Sequence, residues 1–270
     1  MRILLTLLLS LFVSSPQAAE LPRPSMQMDQ CTQHLPYGIP RSARQDTTMI
    51  CHEGYALEHD NKAHIPAWVA YSLTPEHALG CYPRVSHFQI DPSIGEASAK
   101  PKDYAKSGYD IGHMANDSDM RWSRLTELES NLFDNAAPQL PGLNRGAWKM
   151  LEDQTRAWVT YRQHPVLVYV GPIYEKTAPT TIGKSMVTVP LSFYKILVDQ
   201  VTGEVLVFLY PQQESTAPPS SFVSSIALIQ SLTQLVFPLP KNATSSNTLW
   251  TSSTKSNRTA KAQVCMLSGR

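Results

Sequence analysis

YDIGHMA at Tyr109–Ala115 and NAAPQLPGLNRGAWKMLED at Asn135–Asp153 bracket the part of this 270-residue chain that organises the rest. Between Asn144 and Trp158, the residues Trp148, Leu151, Thr155 and Trp158 fall at helical spacings, with Pro141 and Gly142 just ahead. That pattern predicts a helix with one apolar face. Successive helical residues turn by about 100°, so Asn144 and Glu152 are expected two turns apart on one side, facing a common pocket. His113, the last residue of the tetrad Asp110-Ile111-Gly112-His113, and Asn135 fall in the same window.

Outward from this window the chain reads as strands. Tyr55–Glu58, Ala67–Leu73, Val166–Val170, Met186–Val189, Ser192–Val198 and Val205–Tyr210 are rich in aromatic and β-branched residues, and Thr202-Gly203 supplies a hairpin turn. Asp119–Asn131 is expected to form a short helix. Phe222–Phe237 reads as one amphipathic helix with Ile226, Ile229, Leu232 and Val236 inward. Prolines make Leu21–Pro40 irregular, and the Ser/Thr/Asn/Lys-rich run Lys241–Ala262 is expected to be extended or flexible. The domain reading is a leader at 1–19, one domain at 20–240, and a tail at 241–270 tied down by Cys265.

Composition narrows the class. With 42% hydrophobic and 17% charged residues the chain is globular. MRILLTLLLSLFVSSPQAAE has one basic residue, an apolar run too short for an ordinary membrane span, and small residues ending at Ala18 and Ala19. It looks like a secretory signal, so the mature protein is expected in the periplasm or outside the cell, without stable membrane association. Removing those 19 residues leaves equal numbers of basic and acidic side chains, so any attraction to phosphates must be local. Lys100, Lys102 and Lys106 could face a phosphate backbone, although solvated loop lysines are commoner. Cys31, Cys51, Cys81 and Cys265 allow three disulfide connectivities, of which Cys31–Cys51 with Cys81–Cys265 is preferred. The sequence has no CxxC pair to suggest zinc. The sequons at Asn116, Asn242 and Asn257 carry weight only in a eukaryotic secretory pathway.

Residue types suggest one chemistry for the central window. Cleaving a phosphodiester needs an activated nucleophile and stabilisation of charge on the phosphoryl and leaving oxygens. His113 can take a proton from water near neutral pH, and Gly112 beside it would permit close approach of substrate. A hard cation bound through oxygen can serve the other needs: Asn144 could supply the ligand and Glu152 could accept hydrogen bonds from its waters.

YDIGHMA followed by NAAPQLPGLNRGAWKMLED resembles the DNA/RNA non-specific endonucleases. The likeness extends to WVAYSL with the downstream Arg84, to VGPIY at Val170–Tyr174, and to VPLSFYKILVD at Val189–Asp199. The resemblance implies a ββα-metal nuclease of α+β class, with a mostly antiparallel sheet flanked by helices, acting on DNA and RNA. It implies His113 as general base and Asn144 as the direct protein ligand of Mg2+, with Mn2+ able to substitute. Glu152 is implied as the carboxylate orienting metal-bound water, Asn135 as an amide holding the site, Arg84 as the cation facing the phosphorane, and Asp110 as structural. Water attack would leave the phosphate on the 5′ side. A protein inhibitor is a conceivable partner.

Ile111 departs from the family pattern, which places arginine there. The change removes a charge-assisted contact, and Arg121, Arg124 and Arg145 are the candidates to compensate for it. A catalytically weakened nucleic-acid-binding protein is therefore the alternative reading, with a zinc-dependent hydrolase third.

Overall fold

A computed structural model describes residues 31–175 and 177–267; the expected leader lies outside the described residues. In chain order the strands are β1 (Thr47–Cys51), β2 (Ala56–Asp60), β3 (Ile65–Leu73), β4 (Asp110–His113), β5 (Ala136–Gln139), β6 (Val166–Ile173), β7 (Thr181–Ile182), β8 (Val187–Thr188), β9 (Ser192–Asp199), β10 (Glu204–Pro211) and β11 (Thr244–Ser245). The helices are α1 (Pro101–Tyr104), α2 (Arg124–Ser130), α3 (Trp148–Arg162), α4 (Ile226–Thr233) and α5 (Thr254–Leu267).

Seven strands form one sheet in the order β1-β2-β3-β6-β9-β10-β11, antiparallel throughout except for the short β10–β11 pair. The apolar runs of β3 and β6 are buried along almost their whole length, because both faces of the sheet are covered. On one face Tyr71, Val168, Leu197 and Phe208 pack with Trp148, Leu151 and Trp158 of α3. On the other, Trp68, Tyr169, Ile196 and Val207 pack with Ile229, Leu235 and Phe237. The β9–β10 turn forms as expected: Gly203 has φ +78°, and Asp199 Oδ1 accepts from the amides of Val201 and Thr202.

The expected hairpin and helix are present in modified form. β4 and β5 pair antiparallel with Asp110 opposite Gln139 and His113 opposite Ala136. They are joined by a long excursion containing α2. Helix α3 begins at Trp148 instead of Asn144; ahead of it Leu143–Ala147 makes a wide π-type turn, broken at Gly146 (φ −105°, ψ −113°). A side chain at Gly146 would lie 2.4 Å from the Ser215 carbonyl oxygen, and the Ala147 amide donates to that same oxygen at 2.8 Å. Close backbone approach therefore requires glycine there.

Two expectations are corrected. The 222–237 stretch holds only the eight-residue α4, which ends where Gln234 turns left-handed (φ 58°); Ile229 is buried, but Leu232 and Val236 are exposed. Val236 instead bridges to Arg41. The supposedly loose tail buries Trp250 against Trp158 and ends in α5, whose Asn257 bonds Thr160 Oγ1 at 3.0 Å. Both preferred disulfides, Cys31–Cys51 and Cys81–Cys265, are formed, and the second ties α5 to the loop before Arg84.

Candidate active site

A cleft of about 820 Å3 opens where β4, the π-type turn and α3 meet, lined by Arg84, Asp110, Ile111, His113, Asn144 and Glu152 among others. Five of the six residues singled out from the sequence thus converge. Asn135, the sixth, is fully buried behind β4. Its Oδ1 accepts from the Ala115 amide at 2.8 Å, and its Nδ2 donates to the carbonyls of Ala115 and Ser130 at 2.9 and 2.8 Å. With its amide fully engaged, it extends the β4–β5 ladder and fixes the chain leaving His113.

His113 is held by groups the sequence did not reveal. Its Nε2 lies 3.2 Å from Asn131 Oδ1, while Asn131 Nδ2 donates to the Glu127 carbonyl at 2.8 Å. Because the amide nitrogen is committed, its oxygen faces the ring and Nε2 carries the proton. Nδ1 is left as the acceptor. Phe88 packs on the ring with centroids 4.6 Å apart. Burial pulls the imidazole below its ordinary 6.5, opposed by the carboxylate of Asp117 and the bond to Asn131, and assisted by Arg84. A neutral imidazole at pH 7 can accept a proton.

Gly112 serves the interior instead of the substrate. A Cβ there would meet Gln139 Oε1 at 2.5 Å and Gln139 Cβ at 2.8 Å. It keeps β4 close to β5.

Asn144 and Asp110 form a unit. Asn144 Nδ2 donates to Asp110 Oδ2 at 3.0 Å, which turns the amide oxygen away as a free acceptor. Arg145 grips the same carboxylate with Nε at 2.8 Å and an η nitrogen at 2.5 Å. Glu152, one turn into α3, is buried yet lines the cleft. Burial pushes its carboxyl up to about 7, against the pull of Lys195 and Arg156 and with a further push from Asp119 and Asp117. Lys195 on β9 is fully buried, with Nζ 4.7 Å above the Trp148 ring.

Cations crowd the cleft despite the balanced overall charge. Arg84 Nε lies 3.2 Å and Arg121 3.3 Å from Asp117 Oδ2, so one carboxylate ties two guanidiniums together. Burial alone would raise the Asp117 pKa, but His113, Arg84 and Arg121 hold it below the ordinary value. Arg156 bonds Asn116 Oδ1 at 3.0 Å and Asp119 Oδ1 at 2.7 Å. Arg145 and Lys149 complete the set. Of the candidates to compensate for Ile111, Arg121 and Arg145 line the cleft and Arg124 does not; Lys100, Lys102 and Lys106 lie outside it as well. Asn116 accepts from Arg156 and from the Ser118 amide at 2.9 Å, an engaged role that accounts for the residue without a glycan.

The donor set suits a hard cation. The free oxygen of Asn144 is a ligand of the kind magnesium takes while keeping most of its waters, and the Glu152 carboxylate lining the same cleft is an acceptor for those waters. Sequence reasoning missed Asn131, Asp117, Lys149 and Arg156. Only helical position hinted at any of them: Lys149 and Arg156 flank Glu152 at three and four residues.

Comparison with known proteins agrees with this geometry. The model of the DNA/RNA non-specific endonuclease family matches residues 32–243. The chain is 30% identical over 217 residues to mitochondrial endonuclease G of Homo sapiens, covering 74% of this chain and 71% of that protein. It is 31% identical over 191 residues to a nuclease of Nostoc sp., covering 68% of each. A solved structure, EndoG in the EndoG/EndoGI complex, superposes with a TM-score of 0.72 at 29% identity, covering 81% of this chain and 96% of that one. The chain is a nuclease that belongs to the DNA/RNA non-specific endonuclease family.

Proposed function

We propose that this nuclease is a Mg2+-dependent endonuclease that hydrolyses DNA and RNA to 5′-phosphate ends, and that it works after export. The observation that carries the reading is the convergence on one cleft of a neutral His113, with its Nε2 proton committed to Asn131, and an Asn144 whose amide nitrogen is committed to Asp110.

His113 Nδ1 accepts the proton of the attacking water. Asn144 would hold the cation, with Glu152 accepting hydrogen bonds from its waters; when bound, the cation supplies charge neutralisation at the phosphoryl and leaving oxygens. Arg84 and Arg121, pre-positioned by Asp117, face charge developing on the phosphorane; fixed cations of this kind need no reorganisation during reaction. Arg145 and Lys149 draw in the backbone of either nucleic acid without reading bases, as expected for phosphate contacts. Mn2+ fits the same oxygen set. The apolar N-terminal run and two disulfides support export to an oxidising compartment. A protein inhibitor acting at this cleft belongs to the same reading, since the solved structural relative is itself an EndoG/EndoGI complex.

Digestion of supercoiled plasmid and of single-stranded RNA, with and without chelator, tests this reading. Both should be degraded, chelator should stop both, and the fragments should ligate without prior phosphorylation. Cleavage that persists in chelator, or fragments with 5′-hydroxyls, would overturn it. Amino-terminal sequencing of the secreted protein should start near Glu20; recovery solely in the cytosol would reject export.

A further inference from the structure

Behind the cleft lies a second ionisable cluster that catalysis does not use. His52, Asp91 and Asp134 are all buried, and one potential ligand atom of each lies within 4.8 Å of the other two. His52 Nε2 is 2.6 Å from Asp134 Oδ2 and 3.7 Å from Asp91 Oδ2. The outward oxygens of the two aspartates are supported from behind. Tyr55 Oη donates to Asp134 Oδ1 at 3.3 Å and the Ser93 amide donates to Asp91 Oδ1 at 2.7 Å, whereas His52 Nδ1 has no hydrogen-bond partner, with Glu129 Oε1 3.9 Å away. Asp91 Oδ2, by contrast, points into the cluster with no hydrogen-bond partner, although Asp91 is only 1% exposed.

We propose that His52, Asp91 and Asp134 form a buried site for a divalent transition-series cation, Zn2+ or Mn2+, separate from the catalytic cleft. An imidazole with two carboxylates is a borderline donor set, suited to these ions better than to magnesium or calcium. Ligand atoms around a tetrahedral Zn2+ stand about 3.3–3.6 Å apart. The His52–Asp91 separation of 3.7 Å needs to close by only about 0.1–0.4 Å to match, and the His52–Asp134 contact of 2.6 Å must open by about 0.7–1 Å. Charge favours the ion too: three carboxylates, counting Glu129, surround one imidazole in a buried place. The cation would displace the proton shared by His52 and Asp134.

The placement gives the ion a task. Asp91 and Asp134 sit on two segments joined side by side by the Gln89–Leu132 bridge. At the other end of those segments, Phe88 and Asn131 contact His113. An ion bridging the two aspartates braces the frame that holds the general base.

Because the site is independent of the cleft, the test uses Asn144→Ala protein, which removes the catalytic metal ligand. That protein, expressed in medium supplemented with Zn2+ or Mn2+ and dialysed, should retain close to one equivalent of the ion by elemental mass spectrometry. A stripping chelator should lower its melting temperature by on the order of 5–10 °C, and the ion should restore it. Asp91→Asn in the same background should retain no ion and ignore the chelator. Should that variant fail to fold, X-ray absorption on Asn144→Ala protein decides: one imidazole nitrogen with carboxylate oxygens at about 2.0–2.2 Å supports the site. An all-water shell overturns it. So does Asn144→Ala protein that holds no ion and melts at one temperature with and without chelator, which would mean that protons alone close the cluster.

Discussion

Replacing His113 by alanine isolates proton transfer from the rest of the site. The side chain makes one neutral hydrogen bond, to Asn131, and one ring contact, to Phe88. The first contributes about 0.5–1.5 kcal/mol and the second a similar amount. The expected loss of about 1–3 kcal/mol is a fraction of the roughly 5–15 kcal/mol of a typical domain, so the variant should fold. Catalysis should suffer far more: a positioned general base contributes about 10²–10⁴-fold, equivalent to about 3–5.5 kcal/mol in the barrier. Since burial keeps His113 below its usual pKa, the neutral ring contributes no charge to substrate attraction at pH 7, and KM should hardly move while kcat collapses. Initial rates of plasmid nicking and of cleavage of a fluorogenic RNA, with circular dichroism as the folding control, measure both parameters. A folded variant with kcat within about tenfold of wild type, less than a general base supplies, would refute the assignment. So would a fall carried wholly by KM.

Glu152 should leave a mark on pH dependence. Its folded pKa, about 7, exceeds the ordinary 4.5, so between those values the folded state binds more protons than the unfolded one and stability falls as pH rises. Glu152→Gln should flatten that decline in urea titrations across the window while lowering activity; an unchanged slope would contradict the burial argument. Ile111→Arg adds a cation to the cleft lining and should steepen the decline of log(kcat/KM) with log[salt] by about one, which rates at several ionic strengths would check. Gly146→Ala should destabilise by about 1–3 kcal/mol and lower kcat, because its Cβ collides with the Ser215 carbonyl and shifts the turn carrying Asn144; thermal melting and nicking assays read the two effects separately.

What could be read in the sequence was local. Aromatic and β-branched runs marked β3, β6, β9 and β10 because those strands are buried on both faces. The motif residues His113, Asn144, Glu152, Asp110 and Arg84 carried their own signal and share one cleft. Features set by tertiary contact were hidden. Leu143–Ala147 had helical periodicity, yet Ser215 captures the Ala147 amide and delays the helix to Trp148. Lys241–Ala262 had the composition of a loose tail; the Cys265 bridge that ties it was expected, but the burial of Trp250 against Trp158 and the helix α5 were not. Asn131, which fixes the tautomer of His113, ended the polar run Asp119–Asn131 that was read only as a short helix, and no spacing rule joins residues 52, 91 and 134.

The bond between Cys81 and Cys265 closes a loop of 184 residues. Its first partner precedes Arg84 by three positions, so the arm bearing that guanidinium stays covalently open until nearly two hundred later residues have been synthesised and an oxidant has acted. A nuclease assembled this way reaches its final covalent form only after translation and only where thiols are oxidised, so its last covalent step waits on the redox state of its surroundings.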